Sequence, residues 1–185
     1  SVDVVPLVGG SNRNLRSYQP NDMVRGFANS LHGNPQLIHA PALPSSIEDY
    51  QLYMKSSSMR STCELWRRVN LAIVSVGAPP VQWEFDGSEL SSDRRPQTDD
   101  PEALAVGDIC ARYFDIHGRF VSDEVEARTI AIPVEDLRRV PRVIAVVGGL
   151  NKAFSLVGAL NSGIVDVLVI DEQTAHGVAE GIQLY

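Results

Sequence analysis

Two glycine pairs in the sequence follow apolar segments, and each is a candidate ligand-binding loop. The first pair is Gly9 and Gly10, and the second is Gly148 and Gly149. Glycine has no Cβ, so the backbone N–H groups of such a loop can approach a ligand closely. A glycine pair after a strand is also a common tight turn, so the pattern alone leaves both interpretations open.

Lys152 strengthens the case for the second pair, because it lies three residues further on, in the first turn of a predicted helix. The start of a helix presents unsatisfied N–H groups and a partial positive charge, to which the ammonium adds a full charge. Together these groups suit a phosphate or another anion. We predict that Gly148, Gly149 and Lys152 contact a ligand.

Strands alternate with helices along the chain, which predicts the elements that position these groups. Asp171 follows the last predicted strand and caps the final helix, so its carboxylate falls at the same edge as the glycine pairs. Alternation with short connections indicates an α/β fold with a Rossmann-like, doubly wound, mainly parallel sheet. The predicted strands are residues 4–8, 37–38, 71–76, 119–121, 129–132, 142–147 and 164–170. The predicted helices are residues 22–31, 46–54, 59–69, 134–139, 152–160 and the segment after 171.

The caps and turns of these elements are also predicted. Asn21 is expected to be the N-cap of the first helix, and Ser45 with Glu48 fits a capping box for the second. A hairpin-type turn is expected at residues 115–118, with Gly118 in the left-handed conformation. The apolar residues of the first helix recur four apart on one face: Met23, Phe27 and Leu31.

Residues 78–100 are rich in Pro, Ser, Asp and Gly, and we expect a loop there that Trp83 and Phe85 hold in place. Such a segment is either a solvated insertion or a lid over a site.

Composition excludes several classes of protein. The chain has 185 residues, 44% of them hydrophobic, and a net charge of −7. An acidic body repels a phosphate backbone, so we expect no nucleic-acid binding by these residues themselves. No apolar run is long enough for a transmembrane helix. Two cysteines and four scattered histidines lack the spacing of a disulfide framework or metal site, which favours a cytoplasmic protein without cofactors.

Several segments together resemble the sugar-binding domain of SorC-type (DeoR/SorC) transcriptional regulators. The resemblance covers nearly the whole chain in the right order and is densest in its closing half. It rests on residues 6–10 (PLVGG), 19–21 (QPN), 107–110 (GDIC), 113–118 (YFDIHG), 143–149 (VIAVVGG), 151–153 (NKA), 159–163 (ALNSG) and 166–175 (DVLVIDEQTA).

The resemblance implies a fold like that of sugar-phosphate isomerases and CoA transferases. It implies that a sugar or sugar phosphate binds at the strand ends and changes operator binding, often through the oligomeric state. Residues 1–185 are then one effector domain that lacks its own N-terminal start and the helix-turn-helix head through which operator DNA is bound. A homo-oligomer without a membrane partner is expected.

Residue by residue, the resemblance assigns Gly9 and Gly10 to the first ligand loop and Gln19 and Asn21 to polar effector contacts. It assigns Asp108 to accepting hydrogen bonds from sugar hydroxyl groups and Lys152 to a phosphate or polar sugar group. Where many phosphosugar-binding members carry Arg before the first glycine pair, this chain has Val8, and Arg13 or Arg16 are the possible substitutes. The ligand is then an unphosphorylated sugar, a polyol or a monophosphate.

Three of these residues could instead have structural roles. Asp108 could be a helix cap or a surface charge, and Gln19 and Asn21 could be turn and N-cap residues.

The alternative function is a sugar-phosphate isomerase or deaminase-like enzyme on the same fold. Asp108 is a possible base for it, but the sequence offers no convincing partner, so we expect no catalytic residues.

Overall fold

The computed structural model describes residues 2–10, 19–78, 104–121 and 124–182. These fall into two compact units. The first unit comprises Ser1–Val69 and Ala127–Arg139, and the second comprises Asn70–Glu126 and Val140–Tyr185. The predicted loop with Trp83 and Phe85 lies outside the described residues.

The structure confirms a mixed α/β fold in which most strand pairs are parallel. In chain order, the elements are β1 (Asp3–Val4), α1 (Pro20–Ser30), β2 (Asn34–Pro35), α2 (Ile47–Lys55), α3 (Ser57–Trp66), β3 (Ala72–Val74), β4 (Val76–Gly77), β5 (Gly107–Ile109), β6 (Arg112–Phe114), α4 (Glu124–Ala127), α5 (Val134–Leu137), β7 (Val143–Val147), a 3-10 turn (Leu150–Lys152), α6 (Ala153–Asn161), β8 (Val167–Ile170) and α7 (Glu172–Ile182).

The first unit is built on short parallel pairings. β1 pairs with β2, which lies at Asn34–Pro35 rather than at the predicted residues 37–38. Two of the segments predicted as strands, residues 4–8 and 129–132, meet only through an isolated bridge between Val8 and Ala131. Trp66 anchors this unit, since it is 2% exposed and its Nε1 donates to Pro6 O at 2.8 Å.

Helix α1 begins two residues earlier than predicted. Pro20 occupies its first position, where the missing N–H costs nothing, and Gln19 is the N-cap. The prediction that Asn21 is the N-cap is therefore wrong. Its side chain instead fastens the helix to the segment after β2, since Oδ1 accepts from Ile38 N at 3.0 Å and Nδ2 donates to Ile38 O at 2.9 Å.

The four-residue apolar spacing in α1 does not mark its buried face. Val24 and Ala28 are buried, whereas Met23, Phe27 and Leu31 are 54%, 43% and 55% exposed. The three exposed side chains form an apolar stripe beside the buried face. A single uncovered helix stripe of this kind is a feature of surfaces that contact another protein.

Each of the next two helices begins one or two residues away from its predicted start. Ser46, not Ser45, caps α2, and its Oγ accepts from Asp49 N at 3.1 Å. The sequence contains both spacings, one ending at Glu48 and one at Asp49, so the pattern alone could not choose between them. Helix α3 begins at Ser57 because Ser56 Oγ accepts from Met59 N.

The second unit contains two sheets. β3, β7 and β8 form a parallel sheet in the order β3-β7-β8, and β4, β5 and β6 form an antiparallel one. The single strand predicted at residues 71–76 is therefore wrong: the chain divides at Ser75 into β3 and β4, which belong to different sheets. An apolar run carries no signal for a change of sheet, because the residues on both sides of Ser75 are apolar.

The antiparallel sheet continues into a second turn. The predicted turn at residues 115–118 is confirmed, with Gly118 at φ 77°. Asp115 is 3% exposed, and its Oδ1 accepts the N–H groups of His117 and Arg119 at 2.9 Å each. The tighter turn between β5 and β6 was not predicted, since it uses Cys110 and Ala111 at positive φ where Asn-Gly is usual.

Helix α6 packs directly on this antiparallel sheet. A Cβ on Gly158 would lie 2.7 Å from Asp115 O, and one on Gly107 would lie 2.7 Å from Ser155 Cβ. Ser155 is fully buried, and its Oγ donates to Val106 O at 2.7 Å. These close approaches fix α6, and with it the residues at its start, against β5.

One face of the parallel sheet is exposed. Side chains alternate between faces along each strand, and the buried face carries Val143, Ala145 and Val147. The other face is entirely aliphatic, and Ile73, Val146 and Val169 there are about half exposed. Parallel sheets are normally covered on both faces. The second layer of helices expected of a doubly wound sheet is not found among the described residues of this unit.

The two faces of β7 should respond differently to the same substitution. Val147→Thr keeps the β-branched shape but buries a hydroxyl group, and we expect it to lower the free energy of unfolding by about 1–3 kcal/mol. Val146→Thr, on the exposed face, should change it by less than about 0.5 kcal/mol. Urea unfolding of both variants measures this, and equal losses would contradict the exposure of the Val146 face.

Candidate functional site

The carboxyl ends of the parallel strands bring together groups from separate parts of the chain. Val147, the last residue of β7, lies opposite Ile170, the last residue of β8. Gly148 and Gly149 therefore meet Asp171 at the same edge of the sheet. This edge is where open α/β sheets bind ligands.

Asp171 is bonded to the glycine loop through an arrangement that includes Thr174. Gly149 N donates to Asp171 Oδ2 at 3.1 Å and to Thr174 Oγ1 at 2.9 Å. Thr174 Oγ1 in turn donates to Asp171 Oδ2 at 2.7 Å, and Thr174 N donates to Asp171 Oδ1 at 2.8 Å. Asp171 thus caps α7, as predicted, and it also holds the loop that follows β7.

These hydrogen bonds keep the carboxyl group ionised. The bond from the Thr174 backbone, followed by those from the Thr174 hydroxyl and Gly149 N–H, lowers the pKa of Asp171 below its ordinary value of 3.8. The edge therefore carries a fixed negative charge beside the glycine loop. Thr174 itself is fully buried, so its hydroxyl group has a structural role in placing that charge.

The N–H of Gly149 is consequently not free to bind an anion. Gly149 has φ 110°, a conformation that favours glycine, and its N–H donates to the side chains of Asp171 and Thr174. Lys152 ends the 3-10 turn and is the N-cap residue of α6, close to the predicted position. It is half-buried, and its backbone N donates to Gly149 O at 2.9 Å. The loop thus supports Lys152 by a backbone bond.

Asp108 lies on β5, opposite Gly77 of β4. Its Oδ2 accepts the N–H of Ala111 at 3.0 Å, across the turn that joins β5 to β6. Its Oδ1 covers Gly77 so closely that a Cβ there would overlap it. Asp108 therefore stabilises a turn, which is the capping role that the sequence left open, and its carboxylate lies over the Gly77 backbone.

The thiol at this turn is unreactive near neutral pH. Burial, reinforced by the negative charge of Asp108, raises the pKa of Cys110 to about 12. A protonated thiol is a poor nucleophile and a poor metal ligand. Among the described residues, no cluster of His, Cys, Asp or Glu is arranged to hold a metal ion.

The other four predicted ligand residues belong to the first unit. Gly9 N donates to Ile130 O, and Gly10 N donates to Ala40 O, so both N–H groups serve the fold. A Cβ on Gly9 would lie 2.7 Å from the backbone of Pro41, which requires glycine there. Gly10 faces Gln19, since a Cβ on it would lie 3.9 Å from Gln19 Oε1.

The structure therefore brings Gly10 and Gln19 together in the first unit and Gly148, Gly149 and Lys152 together in the second. Asn21 is occupied by Ile38 in the first unit. Ligand contact by any of these residues remains a prediction.

Thr174 was missed as part of the edge. The spacing from Asp171 was the signal for it, because an acceptor at the cap position and a hydroxyl group three residues later commonly bond at a helix start.

No helix in the described part of the chain is long and apolar enough to cross a membrane.

Removing the charge of Asp171 should lower the stability of the fold at neutral pH but not in acid, where the carboxyl group is protonated. The pKa of Asp171 is lowered in the folded state, so its contribution is present above pH 3.8 and is lost as the pH falls below that value. We expect Asp171→Asn to lower the melting temperature at neutral pH, and the difference from wild type to shrink below about pH 4. Thermal unfolding by circular dichroism across this range tests it. A difference that stays constant into acid would contradict the hydrogen-bonded carboxylate.

Comparison with known proteins shows the family of the chain. The chain matches the Sugar-bind family of sugar-binding domains over residues 1–180. It is 30% identical over 178 residues to the sorbitol operon regulator of Klebsiella pneumoniae, covering 93% of this chain and 55% of that protein. It is 29% identical over 181 residues to the deoxyribonucleoside regulator of Bacillus subtilis (strain 168), covering 98% of this chain and 57% of that protein.

The solved structure of the full-length sorbitol operon regulator SorC from Klebsiella pneumoniae has the same fold. Its TM-score is 0.84 at 29% identity, covering 96% of this chain and 57% of that one. The chain thus spans just over half the length of these relatives. Because the family match covers almost every residue, the chain belongs to the Sugar-bind family, the sugar-binding domains of SorC- and DeoR-type transcriptional regulators.

Proposed function

We propose that this chain is the effector-sensing domain of a bacterial transcriptional regulator of sugar metabolism. The observation that carries the proposal is the carboxyl edge of the parallel sheet, where Gly149 donates to the carboxylate of Asp171 and accepts from the backbone N–H of Lys152. A cation and a carboxylate at one edge can donate to and accept from neighbouring hydroxyl groups. This is the chemistry of a sugar or polyol.

The names of the relatives support a small hydroxylated effector. They include regulators named for deoxyribonucleosides, for the sorbitol operon and for erythritol catabolism. Sorbitol and erythritol are polyols, and a deoxyribonucleoside carries hydroxyl groups on its deoxyribose. For this chain, we propose a sugar, a polyol or a monophosphate, contacted by Lys152 and Asp108.

Binding without chemical conversion fits the second unit better than an isomerase or deaminase does. Such an enzyme needs a base close to the substrate carbon, with a pKa near the working pH. The hydrogen bonds that lower the pKa of Asp171 make it a weak base. Asp108 is held by Ala111, and the thiol of Cys110 stays protonated. We propose that the domain has no catalytic residues.

We propose that operator DNA is bound by a helix-turn-helix head outside residues 1–185, in the cytoplasm. The net charge of −7 supports this division, because an acidic domain repels a phosphate backbone. We propose in the same way that further chain covers the aliphatic face with Ile73, Val146 and Val169. The relatives carry the additional length that such a layer requires.

Effector binding should raise the melting temperature of the chain, because a ligand that binds only the native state stabilises it. We expect a rise with at least one member of a panel of pentoses, hexoses, polyols and their monophosphates, and no rise with Lys152→Ala. The sequence has one other lysine, Lys55, on α2 in the first unit. Lys55→Ala therefore removes the same charge elsewhere and should keep the response.

Two results would count against the proposed sensor. The first is an unchanged melting temperature across the whole panel, and the second is a response that survives in Lys152→Ala. Incubating the stabilising ligand with the protein and recording its proton spectrum separates sensor from enzyme, because only an enzyme releases product.

Self-association through α1 is the second testable part of the proposal. The apolar stripe of Met23, Phe27 and Leu31 is exposed, and Gly26 beside it has open space where a side chain would be. We propose that a second copy packs on it, since two-fold homodimers are the commonest oligomers.

We expect Phe27→Glu to raise the dimer dissociation constant by at least about tenfold, as for a central interface residue. Sedimentation velocity over a concentration series measures this constant. Asn29→Asp also adds a negative charge to an exposed position of α1, but away from the stripe, and should leave the constant unchanged. Identical sedimentation of wild type and Phe27→Glu would contradict the interface.

A further inference from the structure

The two faces of the antiparallel sheet differ in burial. Side chains alternate between the faces along a strand, so every second residue points the same way. One face packs on α6 and carries the buried residues Gly107 and Phe114. The opposite face carries Gly77, Asp108 and Tyr113, one from each strand, and all three are half-buried. This second face is therefore partly accessible to a ligand.

The three half-buried residues form a row across the sheet. Gly77 lies opposite Asp108 in the pairing of β4 with β5, and Asp108 lies opposite Tyr113 in the pairing of β5 with β6. Directly opposed residues of an antiparallel pair have Cβ atoms about 4.5–5.5 Å apart. A carboxylate and an aromatic side chain are therefore neighbours on this face.

Sheet stability does not explain this pairing. Aspartate is depleted in strands. The cross-strand pairs that stabilise sheets are aromatic, β-branched, hydroxyl or opposite-charge pairs, and Asp108 with Tyr113 is none of these. The carboxylate is nevertheless held in place, because Ala111 N donates to its Oδ2 at 3.0 Å and its Oδ1 lies where a side chain on Gly77 would be.

We propose that Tyr113 is a further ligand-binding residue, whose ring packs against the C–H groups of the sugar or polyol while an adjacent hydroxyl group donates to Asp108. The ligand class and the contact with Asp108 rest on the proposed function. The contact with Tyr113 goes beyond it and rests on the row that these residues form.

The chemistry of the ligand requires an apolar surface as well as polar groups. A sugar or polyol carries C–H groups between its hydroxyl groups, and Lys152 and Asp108 can serve only the hydroxyl groups. Ligand pockets accordingly combine aromatic or aliphatic walls with a small number of polar groups. A tyrosine ring supplies a large apolar surface, and its hydroxyl group can keep a polar partner.

The position of Tyr113 distinguishes it from the other tyrosines that the structure describes. Tyr50 and Tyr53 lie on α2, which carries none of the predicted ligand residues. Tyr113 is directly opposite one of them, Asp108. A ligand bonded to Asp108 would therefore reach the ring of Tyr113 without any change in the strands.

Fluorine NMR of the chain labelled with 3-fluorotyrosine tests the contact directly. The sequence has five tyrosines, and the signals of Tyr113 and Tyr53 are identified by their absence in Tyr113→Phe and Tyr53→Phe. The probes are D-ribose, D-glucose, sorbitol, erythritol and ribose 5-phosphate. For a probe that raises the melting temperature, we expect the Tyr113 signal to shift with the dissociation constant of that response, and the Tyr53 signal to stay unchanged.

Variants of Tyr113 measure what the ring contributes. Tyr113→Val removes the ring but keeps a residue that favours strands, and we expect the stabilising probe to bind about three- to tenfold more weakly. Tyr113→Phe keeps the ring and should bind within about twofold of wild type. Tyr53→Leu removes a ring from α2 and should bind as the wild type does. Isothermal titration calorimetry measures each constant, and circular dichroism checks that each variant is folded.

Two outcomes would overturn the contact and leave the proposed function intact. The first is a probe that stabilises the wild type and binds folded Tyr113→Val equally well. The second is a Tyr113 signal that does not shift on binding. The absence of a thermal response to every probe would instead contradict the proposed function, and the contact with it.

Discussion

The hydrogen bond from Gly149 N–H to the carboxylate of Asp171 is the constraint on which the ligand edge depends. It joins the end of β7 to the start of α7, and Thr174 closes the arrangement from within the helix. The register that places Val147 opposite Ile170 makes this contact possible. A loop held in this way has one backbone form, so Lys152, which bonds back to Gly149 O, begins α6 in a defined place.

The same constraint changes the electrostatics expected of the edge. A glycine pair, a helix start and a lysine together suggest an anion site, but the protein supplies its own anion there. The remaining polar groups are a carboxylate with acceptor capacity and an ammonium with donor capacity. Such groups can accept from and donate to the hydroxyl groups of a sugar, and the family to which the chain belongs is described by sugar binding.

Local patterns predicted what depends on local interactions. The Asp171 cap, the Gly118 turn and the strand at β7 follow from residue types within a few positions, and the structure confirms them. The predictions that were wrong concern side chains and N–H groups that bond to residues distant in the sequence. Asn21 is taken by Ile38, 17 residues away, and the N–H of Gly149 by groups 22 and 25 residues away. Spacing could not show that the apolar residues of α1 face outward, because a helix stripe looks the same whether the protein itself or a partner covers it.

The two exposed apolar surfaces also require partners that a local sequence pattern does not identify. An aliphatic parallel sheet face and an uncovered stripe on α1 are costly to leave in water, since each side chain there loses the stabilisation of burial. Parallel sheets are normally covered on both faces by helices, whereas the single stripe on α1 suits one helix of a partner. The chain spans just over half the length of its relatives, and further chain is what we propose for the sheet face. For the stripe on α1, we propose a second copy.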